Sequence, residues 1–145
     1  MNKNYYKTIV IVSSLILFII SLTQVAIIIK FHEITKIPSI NYFLMGSTAI
    51  LGGGIAEWII WLANPLSLLS MVLFIVDKKT SLKTSLTALI LSISFLSWRE
   101  IIGAESGSMA KIISFESGYY LWLLSIMTLA LGIFSYFLFK KDSTI

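Results

Sequence analysis

Four long apolar stretches, separated by short polar links, dominate the chain. Residues 8–29, TIVIVSSLILFIISLTQVAIII, carry no charge. A bilayer-crossing helix needs about 20 such residues. Lys3 and Lys7 ahead of this run resemble the charged start of a signal peptide. The run exceeds the usual apolar core of about 7–15 residues, and no small-x-small cleavage site follows, so the pattern predicts an uncleaved first span. A polar link over 30–41 contains the breaker Pro38. The next stretch, 42–76, is too long for one ordinary span and is divided by Gly52, Gly53 and Gly54, poor helix formers that permit sharp bends. This predicts a short surface-lying or re-entrant segment over 42–51 and a second span over 55–76. A third span is expected over 81–102, with Lys83 snorkelling near its start, and a fourth over 119–139. The expected fold class is therefore all-α: a polytopic membrane protein forming one four-helix domain over 1–145, with outer loops at 30–54 and 103–118.

Composition supports that reading. Of 145 residues, 57% are hydrophobic and 12% charged, with mean hydropathy +0.93. A soluble domain carries about 25% charged residues, so this chain lacks the means to cover a water-facing surface. It has no cysteine and one histidine, His32, which excludes disulfides, thiolate chemistry, a lipid-anchored cysteine and histidine metal clusters. Richness in Ile, Lys and Ser, with only two prolines, points to a bacterial chain.

Charge sets the expected orientation. Four spans place the two termini and the 77–83 turn on one side, with Lys3, Lys7, Lys78, Lys79, Lys83, Lys140 and Lys141, seven of the 11 basic residues. Lys30, Lys36, Arg99 and Lys111 fall on the other. Lys and Arg concentrate on the cytoplasmic side, so both termini are expected in the cytoplasm of a cell with an inner membrane. These lysines read as topology signals facing anionic headgroups, not as a nucleic-acid surface. Trp58, Trp61, Trp98 and Trp122, joined by Tyr119 and Tyr120, fall near the opposite face and are expected to form an interfacial belt.

Small residues recur at helical spacing: Ala63, Ser67 and Ser70; Ser81, Ser85, Ala88 and Ser92; Ser125, Thr128, Gly132 and Ser135. Each set shares one helix face and suits close packing inside a bilayer. A polar path is the alternative, although such hydroxyls can bond their own backbone.

The most informative segment is AEWIIWLANPLSLLS over 56–70. Pro65 removes a donor and leaves the Trp61 carbonyl free, and Asn64 is placed to satisfy it. The second helix is thus expected to be kinked, or interrupted, at Asn64-Pro65; interrupted helices build ligand sites in transporters. Glu57 reads either as an interfacial carboxylate paired with Arg99 or as part of an outward-facing polar pocket of Gln24, Glu57, Asn64 and Arg99. Over 99–118, Glu100, Glu105 and Glu116 lack the oxygen spacing of a calcium site. This loop predicts a hairpin or a surface helix, with Ile101, Ile102, Ile112, Ile113 and Phe115 dipping into lipid, and is the largest surface open to an external partner. Ser106 has no nearby base, and the glycine triplet lacks the strand–helix context of a phosphate cradle. No catalytic, metal or cofactor motif is present, so neither enzyme activity nor a cofactor is expected.

The stretch WLANPLSLLSMVLFIVDKKTSLKTSLTALILSISFLSW, followed by KIISFESGYYLWLLSIMTLALG, resembles small bacterial membrane proteins that share the W-L-A-N-P element and a G-Y-x-L-W-L start to the last span. It covers about residues 55–133 and implies a four-helix membrane fold, with no activity attached. The expected role is an interaction or accessory protein, including immunity to an envelope-targeting toxin, with another membrane protein or an external protein as partner. The alternative is a small transporter or channel using the pocket at Glu57, Asn64 and Arg99, with homo-oligomerisation left open.

Overall fold

The computed structural model describes residues 3–103 and 108–142. Its helices are α1 (Lys3–Leu22), α2 (Ser39–Gly46), α3 (Ile55–Trp61), α4 (Ala63–Ile75), α5 (Thr80–Ser94) and α6 (Ser117–Asp142). Strands β1 (Val25–Lys30) and β2 (Ile34–Pro38) follow α1, and β3 (Glu100–Ile102) and β4 (Met109–Phe115) lie between α5 and α6. Four helical segments are long and apolar enough to cross a bilayer: Lys3–Leu22, Ile55–Ile75, Thr80–Ser97 and Ser117–Phe139.

The bundle buries small hydroxyl residues beside its apolar core and is greasy outside. Ser67, Ser70, Ser81, Ser85, Ser92 and Ser125 are buried, whereas Ile16, Ile19, Val72, Ile90, Leu131 and Leu138 are exposed. Lipid supplies no hydrophobic drive between helices, so small residues meet and large aliphatics face outward. Most of the buried hydroxyls bond their own helix: Ser67 donates to Ala63 O at 2.7 Å and Ser92 to Leu89 O at 2.9 Å. These bonds satisfy the hydroxyls within the helix that carries them. Two cross between helices, Ser14 to Ser125 O at 2.8 Å and Ser70 to Thr84 Oγ1 at 2.7 Å. Gly132 lets α1 approach α6 closely, because a Cβ there would strike Val10, and the Tyr6 hydroxyl donates to its carbonyl at 3.1 Å.

One end of the bundle carries the N-terminus, the α4–α5 turn and the end of α6. Asp77 adopts φ 60°, and Lys78 N–H and Asp77 N–H close on Leu73 O and Phe74 O at 2.9 and 3.1 Å, a Schellman ending. Lys7, 7% exposed, pairs with Asp77 Oδ1 at 3.0 Å and donates to Ile75 O at 3.0 Å. Tyr136 donates to the same Asp77 oxygen at 2.7 Å. One lysine thus ties α1, the turn and α6 together over the buried Phe74 ring.

The other end departs from the all-α expectation. The four strands form one antiparallel sheet in the order β2-β1-β4-β3. Each polar link folds into a hairpin, and β1 pairs with β4 to join them, with Lys30 opposite Lys111 and Ile27 opposite Phe115. The first span ends at Leu22 and the third at Ser97, short of the expected 29 and 102, because V-A-I-I-I and E-I-I leave the helices as strands. These β-branched runs suit a pleated surface packed on one face. Ile27, Ile29, Ile101 and Ile112 are buried with Phe95 and Tyr119 of the bundle. Ile101 and Ile112 therefore pack under the sheet, with Phe115 against them, instead of entering lipid; Ile113 is exposed on the other face. Glu105 and Ser106 lie outside the described residues.

Between β2 and α3 the chain forms α2 and a 3-10 turn, Ala49–Gly52. Gly53, at φ 85°, reverses the chain so that Gly54 N–H reaches Ala49 O at 2.8 Å. The glycine triplet is thus a helix break, and α2 is a short segment at the sheet end of the bundle.

Candidate functional site

A half-open cavity of about 840 Å³ lies between the sheet and the bundle. Ligand sites commonly fall at about 300–1,000 Å³ and combine apolar walls with a few placed polar groups. The sheet contributes Ala26, Ile29 and Ile101; α1 contributes Phe18 and Leu22; α2 and the 3-10 turn contribute Tyr42, Phe43, Met45 and Ala49. Glu57, Ile60, Trp61 and Asn64 line it from the second span, and Phe95, Tyr119 and Trp122 from the third and fourth.

The Asn64-Pro65 segment builds one wall. Leu62, between α3 and α4, keeps right-handed helical angles (φ −57°, ψ −18°), and its N–H still reaches Trp58 O at 3.1 Å. The span is divided into α3 and α4 at this residue without being unwound. Asn64 Nδ2 donates at 3.1 Å to the Trp61 carbonyl, the group Pro65 leaves free. Asn64 Oδ1 accepts from Trp122 Nε1 at 2.8 Å, and Trp61 Nε1 donates to Phe43 O at 2.9 Å. One amide therefore serves the carbonyl that Pro65 leaves free and holds α6, while one indole holds α2. Gly46 allows the last contact, because a Cβ there would strike the Trp61 ring.

Glu57 is the one charged side chain among the described residues lining the cavity. Its Oε1 accepts from the Ile102 N–H at 3.0 Å, which pins the start of the second span to β3. Burial, and secondarily the Glu57 charge, push the Tyr42 phenol well above its ordinary pKa of 10, so it stays neutral.

Of the four residues expected to share a pocket, the structure brings together Glu57 and Asn64. Arg99 is exposed and is not paired with Glu57, whose carboxylate meets the β3 backbone. Its place beside the carboxylate is taken by the β3 backbone, because residues expected to continue the third helix form a strand. Gln24 lies outside the cavity, donating to Thr23 Oγ1 at 3.1 Å and accepting from Ser117 Oγ at 3.5 Å. Trp61 and Trp122, expected in an interfacial belt, line the cavity with Tyr119, whose hydroxyl donates to Ser92 O at 2.7 Å. Trp98 packs edge-on against Phe95 at 5.2 Å, Trp58 is half-buried and Tyr120 is exposed. Sequence reasoning missed Tyr42 and Phe43, whose short helix offers no motif. No family model, curated protein or solved structure matches this chain.

Proposed function

We propose that this chain is a non-catalytic integral membrane protein that binds an amphiphile in the cavity beneath its sheet. The cavity itself carries the reading: it is of ligand size, mostly apolar, and has a polar group at Glu57. The lysine distribution supports placing the sheet outside the cytoplasmic membrane, with both termini inside. The cavity would then open near the outer headgroups. Away from the sheet, Val10, Met71, Phe74, Leu129 and Ile133 pack the bundle interior, which favours binding over passage through one copy. The resemblance to small bacterial membrane proteins sharing W-L-A-N-P belongs to the same reading and adds no activity.

An interaction role, including immunity or an accessory subunit, draws on a different observation. Strand β2 is an edge strand with Ile34 68% exposed beside exposed Phe31, and such edges accept an added strand. Amphiphile binding has the larger built feature behind it.

Native mass spectrometry of protein extracted in mild detergent tests the proposal. The expected spectrum shows a retained adduct of amphiphile mass that Ile60→Trp, which fills the cavity, removes while the helical circular dichroism is kept. No adduct on the unaltered chain, or an undiminished adduct on the folded variant, overturns it.

A further inference from the structure

We infer that the amphiphile held in this cavity carries a cationic ammonium head, received by Glu57; this rests on the binding function proposed above. Several donors around the cavity are already used. Trp61 and Trp122 spend their indole N–H groups on Phe43 O and Asn64 Oδ1, Asn64 spends its amide N–H on Trp61 O, and Tyr119 spends its hydroxyl on Ser92 O. What stays available is the Ser39 hydroxyl, which is buried without a hydrogen-bond partner, and one charged acceptor. Glu57 commits Oε1 to the Ile102 N–H, and Oε2 has no hydrogen-bond partner among the described residues. Gly54 adjoins that oxygen: a Cβ there would stand 3.2 Å from it, so glycine leaves the approach less crowded.

Charge gives the same answer. No Lys, Arg or His occurs among the described lining residues, so no cation there balances Glu57 or would pair with a phosphate or carboxylate. Neutralising an anion beside apolar walls needs a cation, whose attraction is strengthened away from water. The walls add aromatic rings from Tyr42, Phe43, Trp61, Phe95 and Trp122. Ring faces attract ammonium groups, most strongly when these are desolvated. With its N–H committed elsewhere, each indole offers a ligand its ring and no donor. The apolar remainder, Phe18, Leu22, Ala26, Ile29 and Ile60, suits an alkyl tail.

The test is a fluorescence titration in nanodiscs, read from the cavity tryptophans, with dodecyltrimethylammonium and with 1-dodecanol. The unaltered chain is expected to bind the ammonium at least tenfold more tightly than the alcohol. Glu57→Gln keeps an oxygen for the Ile102 N–H, so the fold should survive. It should lose at least tenfold in ammonium affinity with alcohol binding unchanged. Glu57→Asp supplies a second folded variant, retaining charge at a shifted position and expected to fall between the two. Equal affinity for both probes, or ammonium binding indifferent to Glu57→Gln, overturns the cationic head while leaving the binding function standing. Failure of both probes overturns the binding function and this inference together. A zwitterionic lyso-amino lipid, run as a third probe, separates sources of the same head: binding like the ammonium assigns the head to a membrane lipid, and no binding assigns it to a free amine.

Discussion

At the residue scale, Asn64 makes a proline tolerable inside a spanning helix. Its Nδ2 takes the carbonyl Pro65 strands, and its Oδ1 takes the Trp122 indole. Breaking a buried hydrogen bond and leaving its partner unpaired costs about 1–3 kcal/mol. Asn64→Ala should therefore lower stability in mild detergent by about that amount. Pro65→Ala restores a backbone donor for Trp61 O, so Asn64→Ala should cost measurably less in that background; coupled neighbours show such non-additivity. Additive costs in a double-mutant cycle would mean that the amide does not serve the proline. This relation was legible in the sequence, because a proline's missing donor and an adjacent amide follow from covalent structure alone. The Glu57 partner was not. Arg99 is within reach of Glu57 only on a third helix that runs through 102, and β3 puts a backbone N–H there instead.

At the element scale, helices and strands differed in how visible they were. Hydropathy marks all four spans, since the membrane demands about 20 apolar residues whatever their packing. It does not mark where a helix stops when the next residues are equally apolar. V-A-I-I-I continues the hydrophobic run of α1, yet becomes β1. The available signals were the polar step Thr23-Gln24, the β-branched run, and a second β-branched run, I-T-K-I, just past the turn Phe31-His32-Glu33. In M-A-K-I-I-S-F the alternation over residues 109–113, exposed then buried, also marks a strand. What no window shows is that the two hairpins pair with each other. The cross-loop register is testable because the chain lacks cysteine. Lys30→Cys with Lys111→Cys places thiols on directly opposed, exposed residues of β1 and β4. Mild oxidation should consume both thiols within one chain. Lys36→Cys with Lys111→Cys, separated by the whole of β1, should keep them. Two pairs oxidising alike would refute the joined sheet.

At the scale of the whole molecule, the ends of the bundle do different work. Lys7, Asp77 and Tyr136 close one end with an ion pair, buried on the lysine side only, and a shared carboxylate oxygen. At the other, the sheet, α2 and the second span stand apart and leave the cavity. Its walls come from at least six elements far apart in sequence. For that reason residue patterns announced Glu57 and Asn64 as unusual but could not separate them from Gln24 and Arg99. The account depends on this cavity being open to an amphiphile. Thr48 lines it, and its side chain is exposed, so the rate at which Thr48→Cys reacts with a polar maleimide in nanodiscs reads its occupancy directly. Saturating dodecyltrimethylammonium should slow that reaction severalfold and leave Lys36→Cys, on the edge strand, unaffected; equal rates for Thr48→Cys with and without the amphiphile would contradict the account.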